Sequence, residues 1–170
     1  MSETKPRKTG TKPAESITFD EIDQVILQML QQDSDTPVQA ISEAVGLSPN
    51  PCWRRIKRME EAGLIKRRVA LVDQERANVP LTVFIGVSTT RHEMAWLNRF
   101  HALIDEIPEI LEAYRLTGTV DYILKVVVPD MASYDAVYKR MIERLEFSQI
   151  NSMISMEELK FTTAIPTKYL

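Results

Sequence analysis

The stretch that most restricts how this 170-residue chain can fold is GLSPNPCWRRIKRMEEAG, residues 46–63. Gly46 suits the left-handed residue that ends a helix, and Ser48-Pro49 reads as an N-cap followed by proline at the first helical position. Only Leu47 and Ser48 separate the stop from the restart, so two helices must meet at a tight turn. Val38, Ile41, Ala44 and Val45 mark the short helix before Gly46, and the helix after it should run to about Ala62, where Gly63 stops it. Upstream, Ile22, Val25, Ile26, Met29 and Leu30 repeat with helical spacing. They predict a first helix with Thr18 as its N-cap and Asp20 and Glu21 in its first turn. That helix should end near Gln32, before the turn DSDTP.

At roughly 100° per residue, Cys52, Ile56 and Met59 of the third helix fall within about 60° of one another and should face the other two helices. Asn50, Arg54, Lys57 and Arg58 then project from the opposite side, with Trp53 and Arg55 on the flanks. A second helix that presents Asn and Arg outward fits the DNA major groove, where Arg can pair with guanine and Asn with adenine. Charge agrees with this placement. Residues 46–68 carry a net +5, whereas 19–45 carry −6, 69–170 carry −4 and 1–18 carry +2, within a total of −3. Such a block suits phosphate, although a solvated helix face gives the same pattern. LIKRRVALVD, after Gly63, is β-prone and brings Lys66, Arg67 and Arg68, as a wing strand against the DNA backbone would. Trp53 has two readings, packing against the wing or first helix and contacting DNA.

Beyond the linker the periodicity changes. VPLTVFIGVST (79–89) alternates as a strand, and HEMAWLNRFHALIDEI repeats Leu97, Phe100, Ile104 and Ile107 as a helix. EILEAYRLT and DYILKVVV are strands joined through Gly118-Thr119-Val120. MASYDAVYKRMIERL places Tyr134, Val137, Tyr138, Met141, Ile142 and Leu145 on one helical stripe, and a last strand is expected over about 150–160. The order βαββαβ predicts an α+β sandwich of ferredoxin-like, ACT-like type, with both helices on one face of a four-stranded sheet. Its strands are apolar on both faces, so self-association is expected to cover the open one. The organisation reads as a flexible basic arm (1–17), a winged helix-turn-helix (18–68), a linker strand and loop (69–78), a sensing and assembly domain (79–165) and a tail (166–170).

Several function classes are excluded or weakened. Cys52 is the one cysteine, so no intrachain disulfide forms, and His92 and His101 make no zinc-binding set. No apolar run approaches the roughly 18 residues of a membrane span, and the start lacks a signal-peptide centre, so a cytoplasmic, nucleoid-associated protein is expected. Catalytic triads, phosphate-cradling glycine loops and metal-ligand spacings are missing, so neither enzyme activity nor a cofactor is expected. Cys52 lies on the apolar helical face and reads as a packing residue.

IDQVILQMLQQD, LSPNPCWRRIKRMEEAGLI, LTGTVDYILKVVVPDMASY and MEELKFTTAIP, in that order, resemble the Lrp/AsnC (leucine-responsive, feast/famine) transcription regulators over about residues 19–165. The resemblance implies a DNA-binding helix-turn-helix joined to a ligand-sensing βαββαβ module, in dimers that assemble to tetramers or octamers on pseudo-palindromic operators. It places Ser48, Asn50, Pro51, Trp53, Arg54, Arg55 and Arg58 on the recognition helix. Gly118, Asp121 and Tyr122 match the family's effector loop, and Ser152 lies where members often carry a hydroxyl. The effector implied is a small amino acid. Asp121 can accept from its α-ammonium, and Thr117 and Thr119 offer hydroxyls. The other reading of Gly118 and Asp121 is that they only make and end a turn. Ile150 and Ser152 stand where leucine-responsive members carry threonines, and the Pro-Gly usual after the second sensor helix is replaced in ERLEFSQI. PCWRRIKRME with MEELKFTTAIP looks most like the subgroup that senses cysteine and controls its detoxification. Sirohaem decarboxylases resemble the same two-domain family, and a nucleoid-type architectural protein is the other alternative.

Overall fold

A computed structural model describes residues 18–91 and 93–170. The basic arm expected over residues 1–17 and the expectation for His92 lie outside them. The described chain forms two compact units, one made of residues up to Ala70 together with Phe161–Leu170, the other of Leu71–Lys160.

The first unit contains α1 (Glu21–Gln32), α2 (Val38–Ala44) and α3 (Pro49–Glu61). Their apolar stripes meet in a core of Ile26, Leu27, Ile41, Cys52, Ile56 and Met59, each buried. Removing side chains of this size from water stabilises the unit by about 1.5–3 kcal/mol apiece. Gly46 and Gly63, at φ +69° and +74°, end α2 and α3 in the left-handed region that a Cβ disfavours. Ser48 is the N-cap residue of α3, but its hydroxyl makes no capping bond, and Pro49 sits at the start.

Two expectations are corrected here. The N-cap of α1 is Asp20, not Thr18: the Asp20 carboxylate accepts from the Asp23 amide, and the Asp23 carboxylate accepts from the Asp20 amide. A carboxylate three residues ahead of another satisfies two free amides at once, which Thr18 cannot do from its position. LIKRRVALVD forms no strand, since β-propensity yields a ladder only when a facing strand takes up the amides. Within the first unit the Ile165 amide donates to Gln31 Oε1 at 2.6 Å, and Gln31 Nε2 donates to the Ile165 carbonyl at 3.1 Å.

The second unit is the expected α+β sandwich, with β1 (Leu81–Ser88), α4 (Met94–Glu106), β2 (Ile110–Arg115), β3 (Tyr122–Val128), α5 (Met131–Arg144) and β4 (Gln149–Ile154). All three ladders are antiparallel, in the order β2-β3-β1-β4. Val83, Ile85, Val87, Leu124, Val126 and Val128 point to the helix side, where Trp96, Phe100, Leu103, Tyr134, Val137 and Met141 complete the core. The last strand ends at Ile154, short of the expected 160. On α4 the most buried residues include Trp96 and Leu103, while Leu97 and Ile104 only flank them. Ile142 of α5 is exposed, because the stripe expected there is wider than the sheet beneath it. On the opposite sheet face Phe84 and Ile123 are half-buried and Met153 is exposed.

Candidate functional site

The outward side of α3 carries Asn50, Pro51, Trp53, Arg54, Lys57 and Arg58, all exposed along with Ser48 at the N-cap. Trp53 is 51% exposed, and Lys57 Nζ stands 6.0 Å from the centre of its ring. The basic side chains are not equivalent. Arg54 makes no ion pair among the described residues, whereas Lys57 pairs with Glu60 at 2.6 Å. Arg55 Nη1 reaches both carboxylate oxygens of Asp20 at 2.8 Å and Asp23 Oδ1 at 2.9 Å. Arg58 Nη2 donates to Asp23 Oδ2 at 2.5 Å, with its guanidinium 5.8 Å from the Phe19 ring centre. The Asp23 side chain is 0% exposed, so the capping box that starts α1 also receives two arginines of α3. The capping bond from the Asp23 amide, and then Arg55, hold the Asp20 carboxyl below the usual carboxylate range.

In the expected wing, Lys66 and Arg67 are exposed and unpaired among the described residues, while Arg68 is engaged. Its Nη1 donates to the Ser34 carbonyl at 3.0 Å, and its Nη2 lies 3.3 Å from Glu60 Oε1. The sequence reading missed the role of Asp20 and Asp23, although their i, i+3 spacing ahead of an apolar run signals a capping box.

In the second unit, residues 116–121 fold onto the end of β1. The Leu116 amide donates to the Asp121 carbonyl at 2.8 Å, and the Asp121 amide to the Val87 carbonyl at 3.0 Å. Asp121 Oδ2 accepts the Thr89 amide at 2.8 Å, and Ser88 Oγ approaches the Thr119 carbonyl at 3.4 Å. Asp121 Oδ1 has no hydrogen bond among the described residues. Gly118 adopts φ +128°, and a Cβ built there would meet nothing within 4 Å, so the backbone, not crowding, calls for glycine. Thr117, Gly118 and Thr119 are exposed beside the half-buried Asp121.

Two residues expected in this site are engaged by other partners. Tyr122 is buried in the core, its ring centre 4.8 Å from that of Phe100 and 5.8 Å from that of Trp96. The alternation of β3 turns it to the helix side. Ser152 sits on the edge strand β4 opposite Ile85 and is hydrogen-bonded to the Tyr134 hydroxyl. Sequence reading also missed Ser88 and Thr89, whose part depends on which β1 atoms the loop reaches. His101 is exposed on α4, at the rim of a cleft of about 450 Å³ against β2.

Residues 19–66 match the winged helix-turn-helix DNA-binding model, and residues 82–165 match the Lrp/AsnC ligand binding domain. The chain is 40% identical over 149 residues to the DNA-binding transcriptional activator DecR of Escherichia coli, covering 87% of this chain and 98% of that one. The chain belongs to the Lrp/AsnC family. Among solved structures, an AsnC family transcriptional regulator from Agrobacterium tumefaciens superposes with a TM-score of 0.86 at 49% identity, over 89% of this chain and 99% of that one. A Neisseria meningitidis transcriptional regulator solved as its L-Met complex gives a TM-score of 0.85 at 34% identity, with the same coverage. The Lrp/AsnC assignment thus covers both described units, and the α+β architecture is the one this family's structures share.

Proposed function

We propose that this Lrp/AsnC chain is a sequence-specific transcriptional regulator whose α3 enters the DNA major groove and whose operator binding is modulated by a small amino acid at the 116–121 loop. The observation that carries the reading is the outward face of α3, where Arg54, unpaired among the described residues, stands beside the exposed Asn50. Those two side chains provide the bidentate groups that read guanine and adenine. Lys66 and Arg67 supply phosphate contacts nearby. In the sensor unit, Asp121 Oδ1 and the hydroxyls of Thr117 and Thr119 suit an α-ammonium, and the L-Met complex of the Neisseria relative supports an amino acid as effector. Cysteine is the first candidate.

The functional unit is a homodimer that assembles further, in the cytoplasm, covering the apolar sheet face that carries Phe84, Ile123 and Met153. A two-fold dimer would read half-sites about 10 bp apart or a multiple of that. No helix among the described residues is long and apolar enough to cross a membrane.

Fluorescence anisotropy on operator and random duplexes tests the reading. Lys66 and Arg67 on phosphates and Arg54 on a base edge bring about six cationic side chains from two copies to the duplex, so counterion release should make log K fall against log salt with a slope near −5. Between 50 and 200 mM salt the affinity should drop on the order of a thousandfold. A salt-independent affinity would sink the proposal. Equal affinity for operator and random DNA would instead favour an architectural protein, and a Soret band on incubation with a haem precursor would favour the decarboxylase-like enzyme.

A further inference from the structure

We infer that Arg55 and Arg58 are positioning residues of the DNA-reading helix: they fix α3 against α1 through Asp20 and Asp23 and do not themselves neutralise phosphate. This rests on the DNA-binding reading above. Both residues carry the charge and the helix position of phosphate contacts, yet their guanidinium groups are already engaged. One nitrogen of Arg55 lies within 2.9 Å of three carboxylate oxygens, and its side chain is only 26% exposed. Arg58 is held at 2.5 Å by Asp23 while its guanidinium stands over the Phe19 ring.

The burial of Asp23 decides which partner wins. Its Oδ1 accepts from Arg55, and its Oδ2 accepts from Arg58 and the Asp20 amide. If both arginines swung out to phosphates, a fully buried carboxylate would keep a single backbone amide as partner. Removing the charge partner of a buried ion is far more costly than an exposed phosphate contact is favourable. Arg54 has no such tether. It lies about 100° round the helix from Arg55, so the two cannot face the same groove equally.

What the tether fixes is the rotation of α3 about its own axis. Asp20 and Asp23 occupy the N-cap and first turn of α1, rigid backbone positions, and they grip α3 at residues three apart. Asn50 and Arg54 are presented from that same helix, and bidentate base contacts tolerate little angular error, whereas phosphate contacts tolerate more. Loss of the tether should therefore harm operator recognition more than non-specific affinity.

The test uses the full chain and anisotropy on operator and random duplexes, with Lys66→Gln, Arg55→Gln, Arg58→Gln and Asp23→Asn. Lys66→Gln should make the salt slope shallower by about 2, one phosphate from each of two copies. Arg55→Gln and Arg58→Gln should leave the slope and the random-duplex affinity at the parental values, while operator affinity falls at least tenfold. Asp23→Asn should weaken the operator complex in the same way, and combining it with Arg58→Gln should add little. A slope reduced by Arg55→Gln as much as by Lys66→Gln overturns the inference. So does tighter DNA binding by Asp23→Asn, which would make the aspartates decoys that compete with phosphate. Where the Asp23 variant fails to fold, Asp20→Asn serves, because Asn still caps α1 while losing its charge toward Arg55. It should lower operator selectivity at an unchanged slope, and unaltered selectivity in that variant also overturns the inference. If the parent chain binds neither duplex, the DNA-binding reading itself fails.

Discussion

The proposed function gives Asp121 two tasks that one pair of substitutions separates. Its Oδ2 accepts the amide of Thr89, a residue only 6% exposed, and its Oδ1 is open for an effector ammonium. In Asp121→Ala the buried amide loses a charged acceptor, a change of about 2 kcal/mol. For a unit of this size that lowers its melting temperature by about 10 °C. Asp121→Asn keeps a carbonyl oxygen for the same amide and should cost less than about 1 kcal/mol. It has no negative charge to offer an ammonium, so effector affinity should fall by one to two orders of magnitude, the equivalent of a charge-assisted bond worth about 1.5–3 kcal/mol. Thermal melts across the twenty amino acids give the readout. At a hundred times the parental Kd the effector adds about 2.7 kcal/mol to the parent, and in a variant binding thirtyfold more weakly about 0.9. If the Asn variant shows the full ligand shift, the ammonium does not meet Asp121. If it melts as low as the Ala variant, the account of the Thr89 bond is wrong.

Three further outcomes follow from the packing. Trp96 is 2% exposed, donates from Nε1 to the Glu146 carbonyl at 3.1 Å and stacks on Phe100 at 5.0 Å. Trp96→Phe should cost about 2 kcal/mol, the hydrogen bond plus the space left behind, as measured by urea midpoint; a loss under about 0.5 would contradict this packing. Burial pushes the Cys52 thiol up, with Arg55 opposing, so alkylation of the native protein should be slow and should reach full rate only in denaturant. Rapid native labelling would place Cys52 outside the core. Asp20 titrates below the ordinary carboxylate value of about 3.9, so its contribution is present above that pH and lost as pH falls through its lower folded value. Asp20→Asn should therefore flatten the acid limb of stability below about pH 4, and an unchanged limb would assign acid loss to other carboxylates.

The helices of the first unit and the order βαββαβ were legible in the chain because each rests on local rules. Gly46 and Gly63 stop helices by backbone conformation, Pro49 starts one, and alternation in 81–88 and 122–128 is a property of neighbouring residues. Where the sequence reading missed, a distant partner was deciding. LIKRRVALVD has the composition of a strand and no ladder to join. Phe161–Leu170 follows the sensor fold in sequence and docks on α1 through Gln31. Tyr122 shares a motif with Asp121 but faces the opposite way, because successive strand residues alternate. Ser152 has the right chemistry and is taken up by Tyr134.

By itself the sequence determined that this chain joins an outward-basic helix-turn-helix to a split βαβ sandwich, since periodicity, caps and charge blocks are written residue by residue. The tertiary structure alone decided which basic groups are free. Arg54, Arg55, Lys57 and Arg58 are equal as letters. Three of them meet carboxylates, two across 32 to 35 residues of chain, as Arg55 meets Asp23 over a separation of 32 and Arg58 meets it over 35. Ion pairing depends on distance in space and on burial, and neither can be read from position in a string.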